Sequence, residues 1–170
     1  DYANDADRTY ANVKAFLSTP EKNDYLFFSV IQGTTFQECL SLARGYDTLG
    51  LNYIAIPCDV TCERTDSFSK MVEARVRIVD AILTNYRFLV IHLLGVSDPE
   101  ELLRYYRPLR TGFSVDTGSP ILNAMNSIRY GESVTLVPKG VPIPFEKAFE
   151  PEEREIAWYN IAYLRRLIRG

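Results

Sequence analysis

Asp116 is the residue best placed in this sequence for covalent chemistry. It follows the short apolar segment Gly112–Val115, and the small residues Thr117 and Gly118 lead on to Ser119-Pro120. That pair reads as a helix start, with Ser119 as N-cap and Pro120 at the first position. A carboxylate at the carboxyl end of a parallel strand, on a strand-to-helix loop, lies where α/β barrels and doubly wound sheets keep their reactive groups. The plainer alternative is a loop aspartate that bonds its own backbone. Three further positions share this placement. Gln32-Gly33 closes the apolar run 25–31, Pro57-Cys58 closes 51–56, and Gly95 closes 88–94. His92 is the only histidine. It shares parity with Leu94, so both lie on one side of their strand. From there His92 would orient Asp116, hydrogen-bond Tyr53, or simply fill core space.

The elements that must position these residues follow from periodicity. Residues 5–17 read as an amphipathic helix with Ala6, Tyr10, Val13 and Leu17 on one face. Residues 25–31 (YLFFSVI), 51–56 (LNYIAI) and 88–94 (FLVIHLL) are continuous apolar runs, as strands buried on both faces should be. The fourth strand is 112–115. Between them lie a helix capped at Thr34 or Thr35 and ended by Gly45, a long helix from Asp66 or Ser67 to about Asn85, and a third from Pro99 to about Tyr106. A helix from Ser119 to about Arg129 follows the fourth strand. This alternation predicts a parallel sheet with helical crossovers, either covered on both faces or closed on itself. Residues 131–150 read as an extended connector containing Pro138, Pro142 and Pro144, with a short strand at Val134–Val137. The helix 152–169 closes the chain with Ile156, Tyr159, Tyr163 and Leu167 inward. Arg154, Arg165, Arg166 and Arg169 on it are either a solvated face complementing the helix carboxyl end or phosphate contacts. Tyr105-Tyr106, flanked by Arg104 and Arg107, is a second basic–aromatic cluster.

Composition bounds the function. The chain has 170 residues, 46% of them hydrophobic and 24% charged, enough for one ordinary core. The formal net charge of −3 argues against a general basic coat while leaving room for a local patch. No stretch approaches the run of about 20 apolar residues that spans a bilayer. The three cysteines, Cys39, Cys58 and Cys62, have neither disulfide-framework nor zinc spacing, and the expected compartment is the reducing cytoplasm. No phosphate-binding glycine loop is present.

Four segments in order, VIQG (30–33), GLNYIAIP (50–57), HLLGVSDPEELL (92–103) and GFSVD (112–116), resemble the C-terminal half of tRNA-guanine transglycosylases. These are the queuine and archaeosine tRNA-ribosyltransferases, and phage relatives of the superfamily insert 7-deazaguanines into DNA. The resemblance covers about residues 25–130 and the last helix. It implies four βα units, the second half of a (β/α)8 barrel. It also implies an exchange of guanine for a 7-deazaguanine in tRNA or DNA through a covalent aspartyl-glycosyl intermediate. Asp116 matches the nucleophile. Gln32 matches a base-reading glutamine, whose amide offers a donor and an acceptor to a purine edge. Cys58 would supply the backbone N–H to the base carbonyl, since Pro57 has none. Leu94 matches an apolar residue on the face of the base, with His92 and Tyr53 behind.

Two departures bear on the substrate. The family's zinc cysteines are absent and Tyr159 stands near the place of its histidine, so no cofactor is expected. The basic segment after the nucleophile reads Thr117-Gly118-Ser119-Pro120, which points to the divergent phage-like branch and, there, to the host cytoplasm. Four strands are half a barrel, so the chain is expected to be a piece of a longer polypeptide, a split subunit, or a half that pairs with a partner. A homodimer is among the assemblies this allows. A non-catalytic partner subunit and a barrel enzyme acting on a small metabolite are the alternative functions.

Overall fold

The computed structural model describes residues 5–20, 26–60, 68–96, 98–105, 111–132, 136–137 and 146–169. The chain divides into two compact units, Asp1–Leu94 with Tyr105–Val115, and Gly95–Arg104 with Asp116–Gly170. It is a mixed α/β fold built on a four-stranded parallel sheet, with a helix at the C-terminus. Among the described residues no helix is long and apolar enough to cross a membrane.

The first unit holds helices α1 (Ala6–Leu17), α2 (Phe36–Thr48) and α3 (Phe68–Asn85) and strands β1 (Ser29–Val30), β2 (Tyr53–Pro57), β3 (Val90–Leu94) and β4 (Gly112–Val115). The strands pair in chain order, β1-β2-β3-β4, every pair parallel. Asp5 caps α1 by accepting the Arg8 N–H, and Thr35 caps α2 by accepting the Glu38 N–H. Glu38 reaches back to the N–H and hydroxyl of Thr34, and those bonds hold its carboxyl below the usual range. The expected caps of α3 at Asp66 and Ser67 lie outside the described residues.

Three readings of the first unit need correction. The run 25–31 forms only a two-residue strand, although Ile31 N–H still donates to the Ala55 carbonyl at 2.8 Å. Just before that strand, Phe27 packs edge-on against Phe16 of α1, with ring centroids 4.8 Å apart. Gly45 does not end α2, which continues to Thr48 before Gly50 turns the chain at φ +73°. Gly45 is instead where α1 approaches, and a Cβ there would lie 2.7 Å from the Tyr10 ring. The sheet is also not equally covered on its two faces. Ile54, Ile56, Ile91 and Leu93 are fully buried on one face, whereas Tyr53, Pro57, Val90, His92 and Leu94 on the other are only half-buried. The α2 and α3 positions that share the first core are Cys39, Leu42, Ala43, Tyr46, Val76, Ile78, Val79 and Ile82.

The second unit contains a 3-10 turn (Pro99–Arg104), α4 (Ser119–Ala124) and α5 (Pro151–Arg169). An α-helix from Pro99 was expected, but Glu101 N–H bonds the Asp98 carbonyl three residues back, and the Asp98 side chain takes the Glu100 N–H. These short-range bonds favour the tighter turn. The N-cap of α4 is Gly118 rather than Ser119, and the helix stops at Ala124 rather than near Arg129. Asn123 and Asn160 explain the stop. Both are fully buried. Asn160 accepts the Tyr130 N–H at 2.9 Å and donates to the carbonyls of Ile128 and Pro120 at 3.0 and 3.3 Å. Asn123 donates to the Ser119 carbonyl and hydroxyl and accepts the Val137 N–H. Backbone that would have continued the helix is thus drawn into these side-chain bonds, and Ser127 is left-handed at φ 55°. The same demand turns α5. Its buried positions are Glu153, Ile156, Ala157, Asn160 and Leu164, while Tyr159, Tyr163 and Leu167 lie at the margin. The proposed strand at Val134–Val137 lies largely outside the described residues; Leu136 and Val137 are not strand.

Candidate active site

Asp116 follows β4 directly and is exposed. The chain it bonds is the turn that begins at Gly95. Asp116 Oδ1 accepts the Gly95 N–H at 2.6 Å, and the Asp116 carbonyl accepts the Val96 N–H at 3.2 Å. Two consecutive backbone donors therefore hold one residue at its side chain and its main chain. Gly95 has φ +65°, a left-handed conformation that a β-carbon disfavours. The bond to Oδ1 restricts rotation of the carboxylate, leaving Oδ2 as the oxygen to present. After Asp116, the Thr117 hydroxyl accepts the Ser119 N–H at 3.0 Å, closing the loop into α4.

Tyr53, His92 and Leu94 share the half-buried face of the sheet in the first unit. Register sets Tyr53 opposite Val90, Ala55 opposite His92 and Pro57 opposite Leu94. The partner of His92 is Ser114, directly opposite on β4, with Nδ1 and Oγ 2.8 Å apart. That bond leaves Nε2 as the outward nitrogen of the ring. The Phe28 ring stands 5.8 Å from Tyr53 and 5.4 Å from His92. It spans two strands because Ala55 lies between them. The far end of β3 is held from below by Arg75, fully buried, whose guanidinium donates to the Leu94 carbonyl at 2.6 Å.

Gln32 is half-buried, and its amide nitrogen donates to the Thr9 hydroxyl of α1 at 2.7 Å. This tether was not among the sequence expectations. It gives Gln32 a structural bond and orients its amide plane. Cys58 is buried at the end of β2. The other buried thiol, Cys39, donates to the Val60 carbonyl and is pushed up to about 12 by burial, which keeps it protonated and unreactive. Cys62 lies outside the described residues. Tyr105 is buried and stacked on Phe113 at 6.0 Å, so it is not available to stack on a nucleic acid; Tyr106 and Arg107 lie outside the described residues.

Arg154, Arg165, Arg166 and Arg169 are exposed on α5. Arg166 lies over the Tyr163 ring and Arg129 over the Tyr159 ring, at 5.6 and 5.5 Å. The sequence pattern places Gly95 at a strand end but not its bond to Asp116, and it does not single out Ser114, Phe28 or Trp158, the last of which is 63% exposed. Strand parity would have found Ser114, two residues before Asp116. The left-handed turn at Gly95 has no such signal beyond the glycine itself. No protein-family model matches the chain, and searches of curated proteins and of solved structures returned no match.

Proposed function

We propose that this chain is part of a transglycosylase that exchanges guanine in a nucleic acid for a 7-deazaguanine base, with Asp116 as the nucleophile. The observation that carries the reading is the bond from the Gly95 N–H to Asp116 Oδ1. It sets an exposed carboxylate in one orientation just past a parallel strand, at a strand-to-helix loop. Asp116 Oδ2 attacks the anomeric carbon of the target nucleotide, and the bond from that carbon to the guanine nitrogen breaks. Guanine leaves with the bonding pair and takes up a proton. The ring nitrogen of the incoming 7-deazaguanine then attacks the same carbon, loses its proton, and releases the carboxylate. Two displacements give net retention, the logic of retaining glycosidases. The target base must leave its stack to be read. It is the resemblance that assigns the reading of that base to Gln32 and the Cys58 N–H, and the cover of its face to Leu94.

The finer architecture is a half-barrel. Support comes from the strand order, which runs β1 to β4 without the reversal of a doubly wound sheet. It comes also from the half-buried second face and from Leu26 and Leu89, which are 69% and 48% exposed. A further set of strands, in the same polypeptide or a partner subunit, would cover that face and supply the acid–base group. The test uses the full-length or reassembled protein with tRNA or duplex DNA carrying labelled guanine. Release of label that depends on added 7-deazaguanine and is lost in Asp116→Asn is the expected result. Release that persists in Asp116→Asn would remove Asp116 from its role.

A further inference from the structure

One surface of the second unit has a chemistry that base exchange alone does not require. We infer that the outward stripe of α5, Arg154–Trp158–Arg165–Arg169, is a docking surface for an unpaired polynucleotide strand. At 3.6 residues per turn these four positions fall within a single narrow stripe along the helix. All four are exposed, and Trp158 is 63% so. They lie opposite the face that buries Ile156, Asn160 and Leu164, so none of them is needed to hold the unit together.

Charge selects the partner. Residues 156–169 contain three arginines and no carboxylate, in a chain whose formal net charge is −3. Of the acids before this segment, Glu155 reaches Arg129 at 3.8 Å, and Glu153 takes the Lys147 ammonium and the Glu150 N–H, while the exposed Glu150 carboxylate borders Arg154 at the start of the helix. Glu152 is exposed and lies about 120° around the helix from Trp158, off the stripe. The adjoining flank pairs rings with guanidinium groups, with Arg129 over Tyr159, Tyr159 6.5 Å from Tyr163, and Arg166 over Tyr163. Arginines that track phosphates, interleaved with rings on which bases stack, are the working parts of single-strand binding surfaces. An outward indole finds a partner in a base that has left its stack, which an unpaired strand offers and an intact duplex does not. The surface goes beyond the exchange reaction, since it would hold a strand whether or not Asp116 reacts.

Trp158 is the only tryptophan in the chain, so its fluorescence reports this surface alone. A twelve-residue oligothymidylate titrated into the protein at low salt should quench it, and a duplex of equal length should bind at least about tenfold more weakly. Trp158→Leu, followed by anisotropy of a labelled oligonucleotide, should weaken binding about tenfold while the salt slope stays. The double variant Arg165→Ala/Arg169→Ala should reduce that slope by about 1.4, two phosphate contacts at about 0.7 each. Both changes are at exposed positions, and circular dichroism checks that the helix content is intact. An unmoved Trp158 signal, a duplex bound as tightly as the single strand, or an unchanged slope in the double variant would each overturn the inference. So would a blue shift with phosphatidylserine vesicles and no response to the oligonucleotide. None of these readouts involves base exchange, so their failure would leave the role of Asp116 standing.

Discussion

The two units build their interiors by different means. In the first, Ile31, Ile54, Ile56, Ile91 and Leu93 are fully buried and, apart from Arg75 and its bond to the Leu94 carbonyl, the core is mainly apolar contact across strands and helices. In the second, the apolar cluster is small, Ala124, Ile156 and Ala157 with Ile121 and Phe149 packed against it. Its backbone path is set by Asn123 and Asn160, which together bond a hydroxyl, three carbonyls and two N–H groups. Apolar packing is non-directional and tolerates a change of shape at similar volume. A buried amide is directional, and losing it strands every group it served. The first unit should therefore bend under substitution where the second breaks.

Asn160→Leu is the largest expected effect. It keeps volume but leaves the Tyr130 N–H and the carbonyls of Pro120 and Ile128 without their partner. At about 1–3 kcal/mol for each stranded buried group, a loss of about 4 kcal/mol is expected in urea denaturation. Ile91→Ala in the first unit should cost about 3 kcal/mol through its cavity. Ile91→Leu, the matched volume-conserving change, should stay below about 1.5 kcal/mol. If Asn160→Leu proved as mild as Ile91→Leu, the contrast between the units would fail. Tyr130→Phe sharpens it, because it deletes one hydroxyl bonded to Ser119 at 2.7 Å and should cost about 1 kcal/mol.

The smallest effect is shared by both units and appears at high pH. Burial raises the Tyr46 phenol well above its ordinary value and the Tyr130 phenol to about 12. In the unfolded chain both ionise near 10.0. Between that value and the folded one the unfolded state has released protons that the folded state keeps, so stability falls as pH rises through this window. Ultraviolet titration should show the Tyr46 and Tyr130 phenols ionising only as the protein unfolds. If both phenols ionise reversibly in the folded protein near pH 10, the burial assigned to the two rings is wrong.

The same contrast explains what the sequence disclosed. The runs 51–56 and 88–94 are legible because buried parallel strands leave unbroken apolar stretches, and they appear as β2 and β3; the partly exposed Gly112–Val115 is legible from Phe113 and Val115 and appears as β4. Asp116 and His92 were legible by position, at a strand end and by strand parity. The end of α4 was not, because it depends on Asn160, far away in the chain, competing for backbone that local pattern assigns to helix. Gly45 misled for a related reason: a helix-ending glycine and a glycine that admits the Tyr10 ring look alike in one sequence. The bond from Gly95 to Asp116 joins residues 21 apart in the chain, a separation that local pattern does not reach.

The central claim is that Asp116 forms a covalent bond to the sugar of its target. Intact-mass analysis after acid quench tests it most directly, on the full-length or reassembled protein incubated with tRNA or duplex DNA and a 7-deazaguanine. The account predicts a denaturation-resistant protein–nucleic acid adduct, mapped by peptide mass to residue 116, absent in Asp116→Asn, and formed with whichever nucleic acid is the substrate. Base exchange proceeding with no adduct at Asp116, or an adduct that survives in Asp116→Asn, would contradict it.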